Sequence, residues 1–355
     1  MTHVSGKDAL RSIAQTYQAR AVHDVSFGAV PIAEKSSSDD EEDPKARARQ
    51  LSYEVPASEW RSIPCHGEPL YPPYRFIDGS LFSRTVAMFR VNGRRHPALL
   101  ACVGALALQL EGRRLVRPPK SLHVETVLSL LSNGMKDSDL ALLANGLQAL
   151  NIRLVTTETT EIGADFEMLR KRCWDLAKQQ MEDAERKLLL DQPRVPALVD
   201  GLLERRLTTV ESHGIPAIGM VKRQMRHYLP PAHVGFLYNL QACERTPAFI
   251  VETAQASLVS WYMRLSSVET HSPNYGLIRL AATQEHLERR FPRRADRWAE
   301  ISAISRWLYT LRHREGSYSR VGISLEPIVR VEDELHALLP NIDQQVVRVH
   351  RALGL

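Results

Sequence analysis

Two aspartates stand where apolar runs give way to glycine. Asp78 lies in Phe76-Ile77-Asp78-Gly79-Ser80, and Asp200 lies in Leu198-Val199-Asp200-Gly201-Leu202. An apolar strand places its last residue at the rim of a sheet, and a following glycine lets the backbone turn away at once. Two carboxylates gathered at such a rim repel each other unless a proton or cation intervenes. A divalent ion that prefers oxygen ligands, Mg²⁺ or Mn²⁺, suits that place. The plain alternative is two ordinary β-turns with Asp in its favoured position.

The elements around these residues follow from patterning. Apolar positions Leu10, Ile13, Ala14 and Tyr17 predict a helix within residues 1–24. Residues 34–50, EKSSSDDEEDPKARARQ, are almost devoid of apolar side chains and read as an acidic flexible linker. Prolines 64, 69, 72 and 73 then deliver the chain in extended form to Asp78. A strand ending at Asp78-Gly79-Ser80, a second over Thr85–Val91, the hairpin signal Asn92-Gly93 and a third strand over Ala98–Leu110 make an antiparallel meander. Glu125–Leu131 and Asp139–Leu150 read as helices, and Asn151–Thr157 as a strand. The longest helix expected is Ala164–Leu190, with Phe166, Leu169, Cys173, Leu176, Ala177, Met181, Ala184 and Leu188 on one stripe. Short strands follow at Pro196–Gly201 and Ile215–Lys222, then Ala248–Glu252, Leu258–Leu265 and Gly276–Ala281. Glu285–His313, interrupted near Phe291-Pro292, then Glu332–Leu339 and Asp343–Leu353 close the chain as helices.

Strand with Asp, two antiparallel strands, a long acid-bearing helix and a short strand ending in Asp is the order of the ribonuclease H-like fold. The expectation is therefore an α/β protein: a ribonuclease H-like mixed sheet flanked by helices, with an N-terminal helical extension and C-terminal helices. In that fold an acid on the long helix completes a two-metal site, where paired metals clamp the attacking and leaving oxygens of a phosphodiester.

Composition is permissive. The 355 residues are 44% hydrophobic and 25% charged, ordinary for a globular protein, which excludes collagen-like, mucin-like and wholly disordered chains. A net charge of +5 allows a nucleic-acid partner without requiring one. The arginine-rich groups at 113–114, 205–206, 222–223, 289–290 and 293–294 would neutralise phosphates if they lined one groove. The four cysteines form no C-x-x-C pair, so reduced thiols in a cytoplasmic protein are expected; Cys65-His66 has no partner spacing for a metal. No apolar run is long enough to span a bilayer, the N-terminus has no signal-peptide pattern, and no P-loop is visible.

The three segments Phe76-Ile77-Asp78-Gly79-Ser80, Leu198-Val199-Asp200-Gly201-Leu202-Leu203 and Ala217-Ile218-Gly219-Met220-Val221-Lys222-Arg223 resemble the NurA nucleases. Trp261-Tyr262-Met263-Arg264-Leu265 and Gly276-Leu277-Ile278-Arg279-Leu280 resemble that family's paired late strands, and Glu332-Asp333 begins a stretch similar to its C-terminal helix. The resemblance covers roughly residues 70–345. It implies a Mn²⁺-dependent (or Mg²⁺-dependent) DNA nuclease working beside a HerA-type hexameric ATPase, as a homodimer, in DNA end processing or defence against foreign DNA. It carries Asp78 and Asp200 over as metal ligands. Asp175 and Glu182, seven residues apart and so on one helix face, both remain open as the helix ligand, with Glu167 and Glu185 as outer candidates. Asp333 is a candidate fourth ligand at the start of a helix, and Lys222 a candidate phosphate-holding charge. The division expected is residues 1–69, helix plus linker, and residues 70–355, nuclease domain. The rival expectation is a catalytically inactive DNA-binding or ATPase-docking subunit on the same fold.

Overall fold

The computed structural model describes residues 6–22, 47–158, 165–222, 228–266, 273–313 and 324–355. Most of the acidic stretch 34–50 therefore lies outside the described residues. The first half contains α1 (Gly6–Thr16), β1 (Arg20–Ala21), β2 (Arg47–Gln50), β3 (Ile63–Pro64), β4 (Arg75–Val91), β5 (Arg94–Glu111), β6 (Arg114–Val116), β7 (Leu122–Leu131), α2 (Asp137–Gln148), β8 (Ile152–Thr157) and α3 (Phe166–Asp191). The second contains β9 (Ala197–Asp200), α4 (Leu207–His213), β10 (Ala217–Val221), α5 (Pro231–Asn239), β11 (Glu244–Arg245), β12 (Phe249–Glu252), β13 (Ser257–Arg264), β14 (Leu277–Thr283), α6 (Gln284–Arg290), α7 (Arg294–Thr310), α8 (Glu326–Leu338) and α9 (Ile342–Leu353).

One mixed sheet runs in the order β2-β12-β13-β14-β10-β9-β4-β5-β7-β8. β4, β5 and β7 form an antiparallel meander, while β4, β9 and β10 are parallel. The hairpin between β4 and β5 turns on Asn92 and Gly93, both at positive φ (49° and 80°), the conformation that matches the twist of paired strands. Helices cover both faces, which is why β5 is buried from His96 through Leu108 and reads as a continuous apolar run. On one face Phe76, Leu198, Met220, Trp261 and Ile278 meet Leu287 of α6, Ile301 and Ile304 of α7 and Ile328 and Leu335 of α8. On the other, Ile77, Ala105 and Val199 meet Ala184 and Leu188 of α3, Val210 of α4 and Leu237 of α5. Cys173, Ala177 and Met181 of α3 pack on Leu81, Leu99 and Val103. Leu10, Leu147 and Val349, from α1, α2 and α9, cover Phe89, Leu100 and Leu130 at the far end.

Three local expectations change. β4 does not stop at Asp78 but continues to Val91, because β5 pairs with it along its whole length. Residues 125–131 are strand β7 rather than helix: Val127, Leu128, Leu130 and Leu131 are buried between two covered faces, a pattern periodicity alone cannot separate from a buried helix. The C-terminal helix starts at Glu326, not Glu332, with Pro327 in its first turn, so Asp333 sits two turns inside it. Between Asp200 and Lys222 the chain also forms α4, closed by Gly214 at φ 60°.

Candidate carboxylate site at the end of β9

The site is built by a strand that ends early. β9 pairs with β4 only through Arg75↔Ala197, Phe76↔Leu198 and Ile77↔Val199, then turns at Gly201, whose φ of 97° only glycine adopts readily. Beyond Ile77 this edge of β4 is free of β9, and Asp78 and Asp200 occupy the next positions on the two strands. Parallel neighbours lie about 4.8 Å apart. Both residues share the face of Phe76 and Leu198, since alternate residues of a strand project together. Asp78 is half-buried and its Oδ1 accepts the Gly79 N–H at 2.8 Å. Asp200 is 7% exposed; its Oδ2 is 2.6 Å from Lys222 Nζ, and its Oδ1 is buried with no hydrogen-bond partner. Lys222 follows β10 two positions after Met220, the residue paired with Asp200, and so reaches the same face.

Helix α3 approaches from the opposite face. A Cβ at Gly79 would stand 2.7 Å from Glu185 Oε1 and 2.9 Å from Met181 Cγ, so any larger residue would force these side chains of the helix to shift. Glu185 is 1% exposed and is paired with Arg206, which is fully buried and donates through Nε (3.0 Å) and Nη2; Arg206 Nη1 donates to the Leu202 carbonyl at 2.6 Å. Burial pushes the Glu185 carboxyl up, Arg206 opposes that, and the charges of Glu182 and Asp200 add to it. Glu182 is therefore close enough to feel and perturb this group. Asp175 is ten residues before Glu185, about 15 Å along the axis, on the part of α3 where Cys173 Sγ contacts the Pro97 carbonyl. The helix acid seated against Gly79 is thus Glu185, an outer candidate of the sequence, with Glu182 one turn before it and Asp175 far from it. Glu167, in the first turn of α3, lies farther still and pairs with Arg170.

On α8, Asp333 is exposed while its neighbour Glu332 is 5% exposed. Glu332 lies one helical turn before His336, whose Nε2 is 3.0 Å from Ser80 Oγ, so both belong to the helix surface facing β4. Glu332 and His336 are residues that sequence reasoning missed. The signal was one position away, at Asp333, and could be corrected only with the helix phase. Arg206 was also missed as a site residue, because Arg205-Arg206 reads as a surface basic pair.

The donors present are hard oxygens. Among the described residues no group of three or more His, Cys, Asp or Glu side chains gathers closely enough to hold a metal ion. The Asp78–Asp200 pair with its unpartnered Oδ1 fits one Mg²⁺ or Mn²⁺, since such ions are commonly held by one or two carboxylates and complete their shells with water and substrate phosphate.

The late-strand arginines of the sequence motif are structural. Arg264, fully buried, donates to the carbonyls of Leu240 (3.1 Å), Pro273 (2.8 Å), Tyr275 (2.7 Å) and Leu237 (2.6 Å). Arg279, also buried, stacks its guanidinium 4.1 Å from the Tyr228 ring centroid.

The chain is thus a mixed α/β protein with a large mixed sheet flanked by helices, carrying a buried carboxylate group at a strand end. Comparison with protein-family models finds no match, and comparison with curated protein sequences finds none either. Among the described residues no helix is long and apolar enough to cross a membrane.

Proposed function

We propose that the chain is a metal-dependent DNA nuclease on a ribonuclease H-like fold. The observation that carries this reading is the adjacent placement of Asp78 and Asp200 on parallel strands, with one buried carboxylate oxygen unpartnered. The antiparallel β4-β5-β7 meander, the long α3 and the parallel β9 and β10 support it, as does α8 over the same strand. A divalent ion bound there would supply Lewis-acid charge and lower the pKa of coordinated water. The chain's own residues do the rest. Asp78 and Asp200 supply the anionic oxygens. Lys222, 15% exposed at its side chain, is placed to exchange Asp200 for a backbone phosphate of the substrate. Arg206 holds Glu185 in place behind Gly79, and Glu182 is kept as the candidate helix ligand one turn before it. A HerA-type ring ATPase as partner, feeding DNA to this site, rests on the sequence resemblance.

A second reading is favoured by one observation. The positive charges already in the group, Lys222 on Asp200 and Arg206 on Glu185, give the carboxylates partners without any metal. In that reading the chain binds DNA or docks an ATPase and cleaves nothing. Purified protein incubated with linear DNA and Mn²⁺ separates the two. Degradation that is lost in Asp78→Ala and kept in the exposed Asp343→Ala supports the nuclease; equal rates in both variants sink the assignment, and no cleavage with any divalent metal favours the second reading. Single-stranded DNA, duplex DNA and RNA as parallel substrates set the preference.

A further inference from the structure

At the opposite end of β9 from Asp200, a cavity of about 510 Å³ opens where the chain enters β9 and β10. Its volume lies in the range of small-molecule sites. Ile218, Trp261, Leu287, Phe291 and Ile304 make an apolar, partly aromatic interior. The rim is cationic: Arg194 and Arg290 both line it and both are exposed. Arg290 is held against the wall, its guanidinium 3.5 Å from the Tyr71 ring centroid. Tyr71 is itself fixed, because the buried Glu300 carboxylate accepts the N–H groups of Leu70 and Tyr71 at 2.9 Å each. That carboxylate also lines the cavity, so the two rim arginines stand against one buried acid and the group is net cationic.

Two imidazoles distinguish the cavity from a greasy slot. His213 uses Nδ1 toward the Thr209 carbonyl and Ser212 Oγ, leaving Nε2 for the cavity. His286 lines the cavity with an Nδ1 that has no hydrogen-bond partner, so nothing in the wall fixes which nitrogen the ring presents. Burial first, then Arg289 and Arg290, push the His286 imidazole down, which keeps it neutral at pH 7 with one donor and one acceptor nitrogen. A ligand that satisfies this wall has a flat apolar body with hydrogen-bonding atoms on its edge and an anionic group at the rim. An alkyl carboxylate meets the arginines but leaves the imidazoles unmatched.

We propose that this cavity is a binding site for a nucleoside monophosphate, the base entering beside Trp261 and Phe291 and the phosphate meeting Arg194 and Arg290. The site is separate from the carboxylate group, and its occupancy does not depend on metal or on cleavage.

The test is titration calorimetry of the full chain with deoxyadenosine monophosphate in EDTA, with deoxyadenosine, inorganic phosphate and decanoate as parallel ligands. Saturable binding is expected for the nucleotide, about tenfold weaker binding for deoxyadenosine and for phosphate, and about tenfold weaker nucleotide binding in Arg194→Ala and in Arg290→Ala. Asp78→Asn is expected to bind as the wild type does, so failure of the nuclease reading leaves this result untouched. Both arginines are exposed, and unchanged thermal midpoints verify that the variants are folded. The proposal is overturned by no saturable heat up to about 5 mM nucleotide, by decanoate or phosphate binding as tightly as the nucleotide, or by wild-type affinity in both arginine variants.

Discussion

Two regions of this molecule bury charge, and they do so in opposite ways. Under β11 and β13, Arg245 is bidentate on Glu54 at 2.7 Å to each oxygen, gives Nε and Nη2 to Ser302, and leaves Glu54 a further bond from the Ala248 N–H. Arg264 spends its donors on four carbonyls. At the end of β9, Asp200 keeps an unpartnered buried oxygen, and burial disfavours the charge on Glu185. A fully satisfied buried ion is part of the scaffold. A buried carboxylate left short of partners is a candidate for a bound cation, and the proposed function rests on that candidate. The difference separates Arg264, a motif arginine whose donors go to backbone carbonyls, from the acids that carry the proposed chemistry.

The largest effect expected is on the scaffold side. Glu54→Ala strands the buried Arg245 guanidinium and should cost about 3–5 kcal/mol of stability, read as a fall in the urea midpoint; a change under about 1 kcal/mol would place this pair among ordinary surface bridges. Next, Asp200→Asn should leave stability within about 1 kcal/mol yet slow Mn²⁺-dependent DNA cleavage about a hundredfold or more, about 2.7 kcal/mol of transition-state stabilisation. A stability loss as large as that of Glu54→Ala would erase the contrast between the regions. Gly79→Ala should cost about 1–3 kcal/mol, because Met181 and Glu185 must give way; differential unfolding of wild type and variant measures it. The smallest effect concerns acid stability. Hydrogen bonding from Gln284 first, then from Tyr53 and with Arg297, lowers the Glu288 pKa below its ordinary value of 4.5. A carboxylate lowered in the folded state adds stability above its unfolded pKa, and that stability is lost as pH falls through the folded value. Thermal midpoints should therefore drop less steeply below about pH 4.5 in Glu288→Gln than in the wild type, by a small margin because the side chain is 41% exposed.

Much of this was legible where chemistry is local. Asn92-Gly93 announced its turn, the stripe on α3 its helix, and the apolar runs before Asp78 and Asp200 their strands. What was not legible depends on partners distant in sequence. β4 runs through Asp78 because β5 pairs with it, and β7 is a strand because both its faces are covered. Asp175 and Glu182 share a helix face, but only the seating of α3 over Gly79 shows that Glu185, an outer candidate, is the acid against the strand. Arg206 reads as half of a surface pair until Glu185 is seen buried against it. Asp333 and Glu332 exchange roles as exposed and buried because α8 starts a turn and a half earlier than its periodicity suggests.

The central claim is that Asp78 and Asp200 hold a divalent cation. Calorimetric titration of Mn²⁺ into the metal-free chain and into Asp200→Asn tests it most directly. Saturable binding is expected for the wild type and is expected to disappear in the variant while its urea midpoint stays unchanged. Equal binding by the two proteins, or none by the folded wild type, would contradict it.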